Sequence, residues 1–453
     1  LYGKIASDIH EGTKSAKHSV STMRSMFYNL KIDTSGGTLT MGLTLNTNAN
    51  NSYRTFNRAY AFPANLNPTL QQNSNETGND GITFNLDYDK PVFNKRDRFE
   101  FGVAYNYRKN DNDLLVENFN FTSQQYITDK KLTNKFFYNE NILGAYTAYN
   151  YRKNGWGLKG GLRAELTNVN FDLSTGAGYN VDPYMSLFPN LSISRFFKKR
   201  YNFGATYSVR VNRPRENALN PQVNNSDTLN ISYGNPNLTP AYTHQMDFSF
   251  GAFGKKWSFT PRISYSTSSG VIERYRIVRK NGVSESTFEN VGSNSSFSLM
   301  LNGNFRPTTK ITTNASFRVY QSTYKSMLNS SLNRDGIGFS AVFGLSMQLP
   351  LKMAFESNLN YANSPNSQGR SKGSINSSFA ARKNFYKNRI TARISTNDPF
   401  GRRNNITLNQ GDNFISQSYS TNNSSNVMFS ITYRYSKIKT NKVVVPPPPK
   451  KKS

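Results

Sequence analysis

Three histidines and a few closely spaced carboxylates are the residues in this sequence whose types suit metal or acid–base chemistry. His10 and His18 stand in a polar segment, and His244 opens an alternating stretch with Asp247 three residues on. None falls in an H-x-x-x-H pattern or a paired His–carboxylate pattern. His244 with Asp247 is read as interface hydrogen bonding, with a metal site as the alternative. "NDNDLLVE" sets Asp111 and Asp113 two apart but lacks the Gly and distal Glu of an EF-hand loop. It reads as solvated loop, with calcium binding the alternative. No Ser/His/Asp group stands out for nucleophilic catalysis. The absence of cysteine excludes thiolate ligands, disulfides and Cys nucleophiles. No cofactor motif is found, and the sequence does not read as an enzyme.

What the sequence does carry is positive charge. Lys and Arg total 56 against 27 Asp and Glu, a formal net charge of +29. No nucleic-acid reader module accompanies it. Lysines in short turns would meet anionic lipid headgroups, and basic residues near longer loops would meet lipopolysaccharide phosphates. Arg108, Lys159, Arg163, Arg210, Arg262, Arg318 and Arg434 fall on the polar side of alternating stretches. There they would either attract an anionic cargo or pair with carboxylates such as Glu100, Glu165 and Glu356.

The elements that would position these charges are strands. Met246, Phe248, Phe250, then Trp257, Phe259, Ile263 and Tyr265 recur at two-residue steps with polar residues between. The same alternation runs through 99–107, 201–209, 297–305, 311–319, 339–349, 353–361 and 427–435. Only 36% of the 453 residues are hydrophobic, which is lean for a soluble core of this size, yet 13% are aromatic, which argues against disorder. No apolar run is long enough for a membrane helix. Low hydrophobicity, many aromatics and alternating strands together predict an all-β chain, a large antiparallel transmembrane β-barrel with one apolar band facing lipid and a polar lumen.

Roughly 16–18 strands of about ten residues are expected. Short connections such as "FFKKRYNF", "FGKKWSF", "RPTTKITT", "LPLKMAF" and "RKNGWG" alternate with long ones at 48–79, 108–138, 168–184, 210–242, 267–294, 323–335 and 396–424. That predicts short periplasmic turns, long extracellular loops and a periplasmic C-terminus. Phe203, Tyr207, Trp257, Phe259, Phe429 and Tyr433 are expected to face lipid, and Arg163, Arg210, Arg262 and Arg434 the lumen. Residues 37–437 would form the barrel. Residues 1–36 are less clear: 9–24 reads as loop or short helix, followed by a hairpin around Gly36 and Gly37. The tail 438–453, with four prolines then lysines, reads as an extended solvated segment or a periplasmic docking peptide.

One loop is recognisable. Residues 207–250 contain Arg213-Pro214, Leu219-Asn220-Pro221 and "GNPNLTPAYT" from Gly234. Together with "LFPNLSISRFF", "STNDPFGRRNNI" and "ITYRYSK", this stretch resembles the Bacteroidota outer-membrane β-barrel family related to TonB-dependent receptors. Ala241 stands where that family usually has Glu. The resemblance implies a barrel of about 22 strands, normally filled by a plug, and neither plug nor TonB box is read in residues 1–36. It implies uptake of a large nutrient; the alternative is a structural barrel subunit of an outer-membrane assembly, with a surface lipoprotein or other subunits as partners. The prolines and apolar residues of 213–240 predict an ordered loop folded against the barrel mouth. Arg213, Arg215, Asn220, Asn224 and Asn235 are its expected contacts to cargo or partner.

Overall fold

The computed structural model describes residues 8–435 apart from 35, 63–66, 94–95, 175–177, 225–229, 281, 367–368, 374, 387, 400–402, 412–413 and 423–424. The expected tail therefore lies outside the described residues. The strands of the first half are β1 (Asp8–Lys31), β2 (Thr38–Phe62), β3 (Thr69–Val92), β4 (Asp97–Asn120), β5 (Gln125–Thr128), β6 (Asn134–Lys153), β7 (Trp156–Leu173), β8 (Gly178–Phe197), β9 (Tyr201–Asn212), β10 (Asn230–Ser232) and β11 (Ala241–Phe253), with a single helical turn α1 (Glu216–Leu219). Those of the second are β12 (Trp257–Val278), β13 (Ser284–Thr308), β14 (Ile311–Ser326), β15 (Arg334–Leu349), β16 (Met353–Asn366), β17 (Gly369–Lys372), β18 (Ile375–Phe385), β19 (Ile390–Asn397), β20 (Arg403–Gln410), β21 (Ile415–Asn422) and β22 (Asn426–Tyr433).

Seventeen of these form one antiparallel ladder in chain order, β1 to β4, β6 to β9, β11 to β16, then β18, β19 and β22. The other strands are additions: β5 on β4, a β17–β20–β21 layer on the tip of β16, and β10, which runs parallel to β13. Among the described residues β1 pairs with β2 alone and β22 with β19 alone.

Directly opposed residues share a face, so the register shows which side chains group together. Leu43, Phe84, Tyr105, Leu143, Leu166 and Met185 are opposed in sequence from β2 to β8. Tyr207, Met246, Tyr265 and Phe297 continue that face across β9, β11, β12 and β13, and Ile394 opposite Phe429 carries it to β22. Trp257, Phe259, Phe203 and Phe429 lie on it, and all are exposed. The other face carries Asp87, Tyr146 and Arg163 in one row and Thr206, Asp247 and Ser264 in another. A sheet with one apolar face that nothing covers and one polar face suits lipid on one side and water on the other.

The tight connections lie at one end of the ladder. Asn154 and Gly155, Lys198 and Lys199, and Leu351 and Lys352 all have positive φ, the conformation that lets a tight hairpin turn follow the strand twist. Only the first pair has the residues that prefer it. The lysine and leucine pairs hold a left-handed backbone that costs an ordinary residue about 1–2 kcal/mol.

Two expectations are corrected. Residues 9–24 are neither loop nor helix: they belong to β1, paired with β2 along its length. Most wall strands are also longer than ten residues: β2 and β13 have 25 each, while β19 and β22 have 8. Most of the segments expected as long loops are continued hairpins, so that 48–79 is strand up to Phe62 and again from Thr69. The physical reason is that the alternation marks only the roughly 9–11 residues in lipid. Beyond them both faces are wet and the hydropathy period fades, while backbone pairing continues. Two long connections leave the ladder, the one from β9 to β11 and the one from β19 to β22, which carries β20 and β21.

Phe259 and Arg262 sit three residues apart on opposite faces. Probes at the two positions should report lipid and water respectively, and Phe259→Arg should cost about 2–4 kcal/mol in reversible unfolding from liposomes. Replacing Lys198-Lys199 by Asn-Gly should raise stability by about 1 kcal/mol or more in the same measurement, with the barrel otherwise unchanged.

Candidate functional site

The connection from β9 to β11 folds inward over the polar face. Pro214 fixes its start, and α1 follows with the Arg215 carbonyl accepting the Ala218 and Leu219 amides. Ala218, Leu219 and Leu238 are buried against Phe136 and Tyr138 of β6 and Val169, Phe171 and Leu173 of β7, with Ile272 and Phe288 packed on from β12 and β13. The loop therefore reaches from one part of the wall to another. Tyr138 and Phe136 share their face with Glu140, the residue opposite Arg108, so this apolar patch belongs to the inner side. Phe171 stacks on Tyr179 with ring centroids 5.0 Å apart.

Polar contacts fix the loop at several points. Arg213 donates from Nη2 to Glu165 Oε2 at 2.6 Å and to Thr167 Oγ1 at 3.0 Å. Both side chains of this ion pair are mostly buried, 16% and 12% exposed. Burial works against the Arg213 charge, but the hydrogen bond to Glu165 and the neighbouring tyrosine and carboxylate outweigh it and raise its pKa. Asn235 donates from Nδ2 to the Phe288 carbonyl at 3.0 Å and to Glu289 at 3.1 Å, while its Oδ1 accepts the Asn237 amide. Gln222 donates from Nε2 to the carbonyls of Lys131 and Leu132. Asn220 Oδ1 closes a turn by accepting the Gln222 amide at 3.0 Å. Gly234 lies so close to this turn that a Cβ would sit 2.5 Å from the Asn220 carbonyl oxygen. Glycine at 234 is thus required by backbone approach.

The five loop residues singled out by sequence play unequal parts. Arg213, Asn220 and Asn235 hold the loop. Asn224 forms an isolated bridge with Ser232, and Arg215 is exposed. Of the seven basic wall residues, Arg108 pairs with Glu140 at 2.9 Å, Lys159 with Glu100 at 2.7 Å and Arg163 with Glu165 at 2.6 Å. Arg318 lies over the Tyr320 ring at 4.8 Å. Arg210 and Arg262 share the polar face, opposite Thr243 and Ser249, and make no ion pair among the described residues. Arg434 follows the last residue of β22, its amide bonded to the Arg389 carbonyl, away from the loop. Glu356 lies 3.7 and 3.8 Å from Arg382 and Arg393.

The two metal alternatives do not assemble. His244 and Asp247 are three apart in β11 and so lie on opposite faces. His244 Nδ1 bonds the Tyr207 hydroxyl at 2.8 Å, while Asp247 accepts from Ser264. Asp111 and Asp113 are strand residues rather than loop, each paired with a lysine at 2.5 Å, Lys109 and Lys135. No cluster of metal-ligating side chains occurs among the described residues. Sequence reasoning missed the Phe136–Tyr138–Phe171 patch under the loop. Its only sequence signal is an apolar residue on what should be the polar phase of β6 and β7.

A long antiparallel wall, apolar outside and polar inside, with tight turns at one end and an inward-folded loop at the other, defines an outer-membrane β-barrel. Residues 30–433 match the outer membrane protein beta-barrel family, and the chain belongs to it. No curated protein matches it in sequence. Among solved structures the chain is similar to the copper transporter OprC, at 11% identity and TM-score 0.61, over 93% of this chain and 72% of that one. It is similar also to the siderophore receptor PiuA from Acinetobacter baumannii, at 13% identity and TM-score 0.60, over 88% and 64%. Against the ferric citrate transporter FecA the identity is 11% and the TM-score 0.56, over 87% of this chain and 61% of that one. The chain thus spans about three fifths of FecA's length. At such identities the likeness is one of fold.

Glu165→Leu leaves Arg213 buried without its carboxylate and should cost about 3–5 kcal/mol. The loop should then be cut by protease in the folded barrel, where the wild type resists. Glu165→Leu with Arg213→Met should restore much of the resistance.

Proposed function

We propose that the chain is the barrel of an outer-membrane uptake protein of the TonB-dependent receptor type, passing a large nutrient inward. The observation that carries this reading is the 213–240 loop, folded onto a polar, charged inner wall and pinned by the Arg213–Glu165 pair. A loop so held narrows the mouth and presents fixed polar groups to whatever enters, which is what selective entry requires. The likeness to the copper transporter, the siderophore receptor and the ferric citrate transporter supports a transport barrel without naming the cargo. In this reading the tight turns and the C-terminus are periplasmic, the 213–240 loop is extracellular, and the surroundings are lipid and lipopolysaccharide. Arg210 and Arg262, which make no ion pair among the described residues, are the wall charges available to cargo, with Arg215 at the loop surface.

Deleting residues 217–237 tests the reading in cells whose growth on one nutrient depends on the protein. The expected result is loss of that growth, with the barrel present in the outer membrane at wild-type level. Unchanged growth, together with loss of a protein that co-purifies with the wild type, would overturn uptake in favour of an assembly role.

A further inference from the structure

We propose that the cavity between the tip of the 213–240 loop and the loop-side ends of β2, β3 and β4 binds a neutral, polyhydroxylated ligand, an oligosaccharide. This deepens the uptake reading by naming the chemistry of the cargo, and rests on that reading for the site's purpose. The cavity measures about 310 Å³, in the lower range for small-molecule sites. Its floor is an array of carboxamides. Gln71, Asn73 and Asn75 lie at alternate positions of β3, so all three point to one face. They are opposed to Phe56, Arg54 and Ser52 of β2. Asn73 and Asn75 are opposed on the other side to Val116 and Leu114 of β4. Gln222 and Asn220 form the roof, held over the floor by the Gln222 bonds to Lys131 and Leu132.

The floor is not satisfied by the protein. Gln71 Nε2, Asn73 Oδ1 and Asn75 Oδ1 are buried and have no hydrogen-bond partner among the described residues, and the Gln71 side chain belongs to a residue only 6% exposed. Buried polar groups are almost always paired, and those that are not ask for a water or a ligand. The open positions are one donor and two acceptors in a row. A hydroxyl can serve both kinds, since it donates one bond and accepts two. Phe56 adds a flat apolar plate, with the Arg54 guanidinium carbon 5.8 Å from its ring centroid, against which the C–H face of a sugar ring can lie. Charge argues against other cargo classes. Among the described residues no carboxylate lines the cavity to receive an ammonium group, and Arg54 is the one cation of the lining. A metal chelate would meet amides rather than the opposing charges it needs.

The test uses the full protein in lipid nanodiscs and a panel of short neutral oligosaccharides of glucose, mannose, galactose and xylose, read by calorimetry. At least one should bind, and Gln71→Leu or Asn73→Leu should weaken it about tenfold or more. Neither substitution should lower thermal stability, because each removes an unpaired buried amide. Absence of binding across the panel overturns the proposal. So does binding that both variants leave unchanged, or displacement of the sugar from this cavity by a ferric chelate or a peptide. Sugar binding without uptake by cells would sink the uptake reading and leave the site standing. Uptake of another nutrient without sugar binding would do the reverse.

Discussion

The backbone ladder is the constraint on which everything else depends. In hydrocarbon no water is available to an amide or carbonyl, so a strand can cross only if both neighbours satisfy its hydrogen bonds. Fifteen of the seventeen ladder strands meet that demand on both sides among the described residues, nearly always with their neighbours in sequence, and β1 and β22 meet it on one. Once the register is set, the two-residue period of the pleat assigns every side chain to lipid or to lumen. A slip of one residue would send Arg163 into lipid and Leu162 inside. The apolar outer rows and the charged inner rows are therefore one fact seen from two sides.

Within that wall a few charged residues pair with one another. Lys159 with Glu100, Arg108 with Glu140, and Arg163 and Arg213 with Glu165 draw the polar face together locally. The pair at Glu165 does more, because one of its arginines belongs to the loop. A single carboxylate is shared between wall and loop, and the apolar patch of Phe136, Tyr138 and Phe171 supplies the contact area that a lone ion pair would not.

The barrel was legible in the sequence because lipid imposes a strict period on the crossing residues, as in Trp257, Phe259, Ile263 and Tyr265. The turns were legible because they are short and basic. Strand length was not, since "NTNANNSYRTFNR" shows no apolar alternation although it is paired on both sides within β2. Arg213, Asn220, Gly234 and Asn235 were visible as parts of a Pro- and Asn-rich loop, but their partners Glu165, Thr167 and Glu289 lie far off in sequence. His244 and Asp247 looked adjacent only while the pleat was ignored. The amides at 71, 73 and 75 did carry a two-residue spacing. Their burial depends on a loop more than a hundred residues downstream, which no local pattern announces.

The parallel pairing of β10 with β13 fixes an order of events in time. Each wall hairpin can close as soon as its second strand exists, since both partners are local and little chain must be looped to join them. The segment that carries β10 has no such option. It is made before β12 and β13, yet it docks on Ser284–Ser286 and on Phe288. Until those strands are in place, Leu219 and Leu238 have only half of their packing surface. The mouth of this barrel can thus close only after two later strands of its wall have paired, so its completion waits on chain that lies beyond it in sequence.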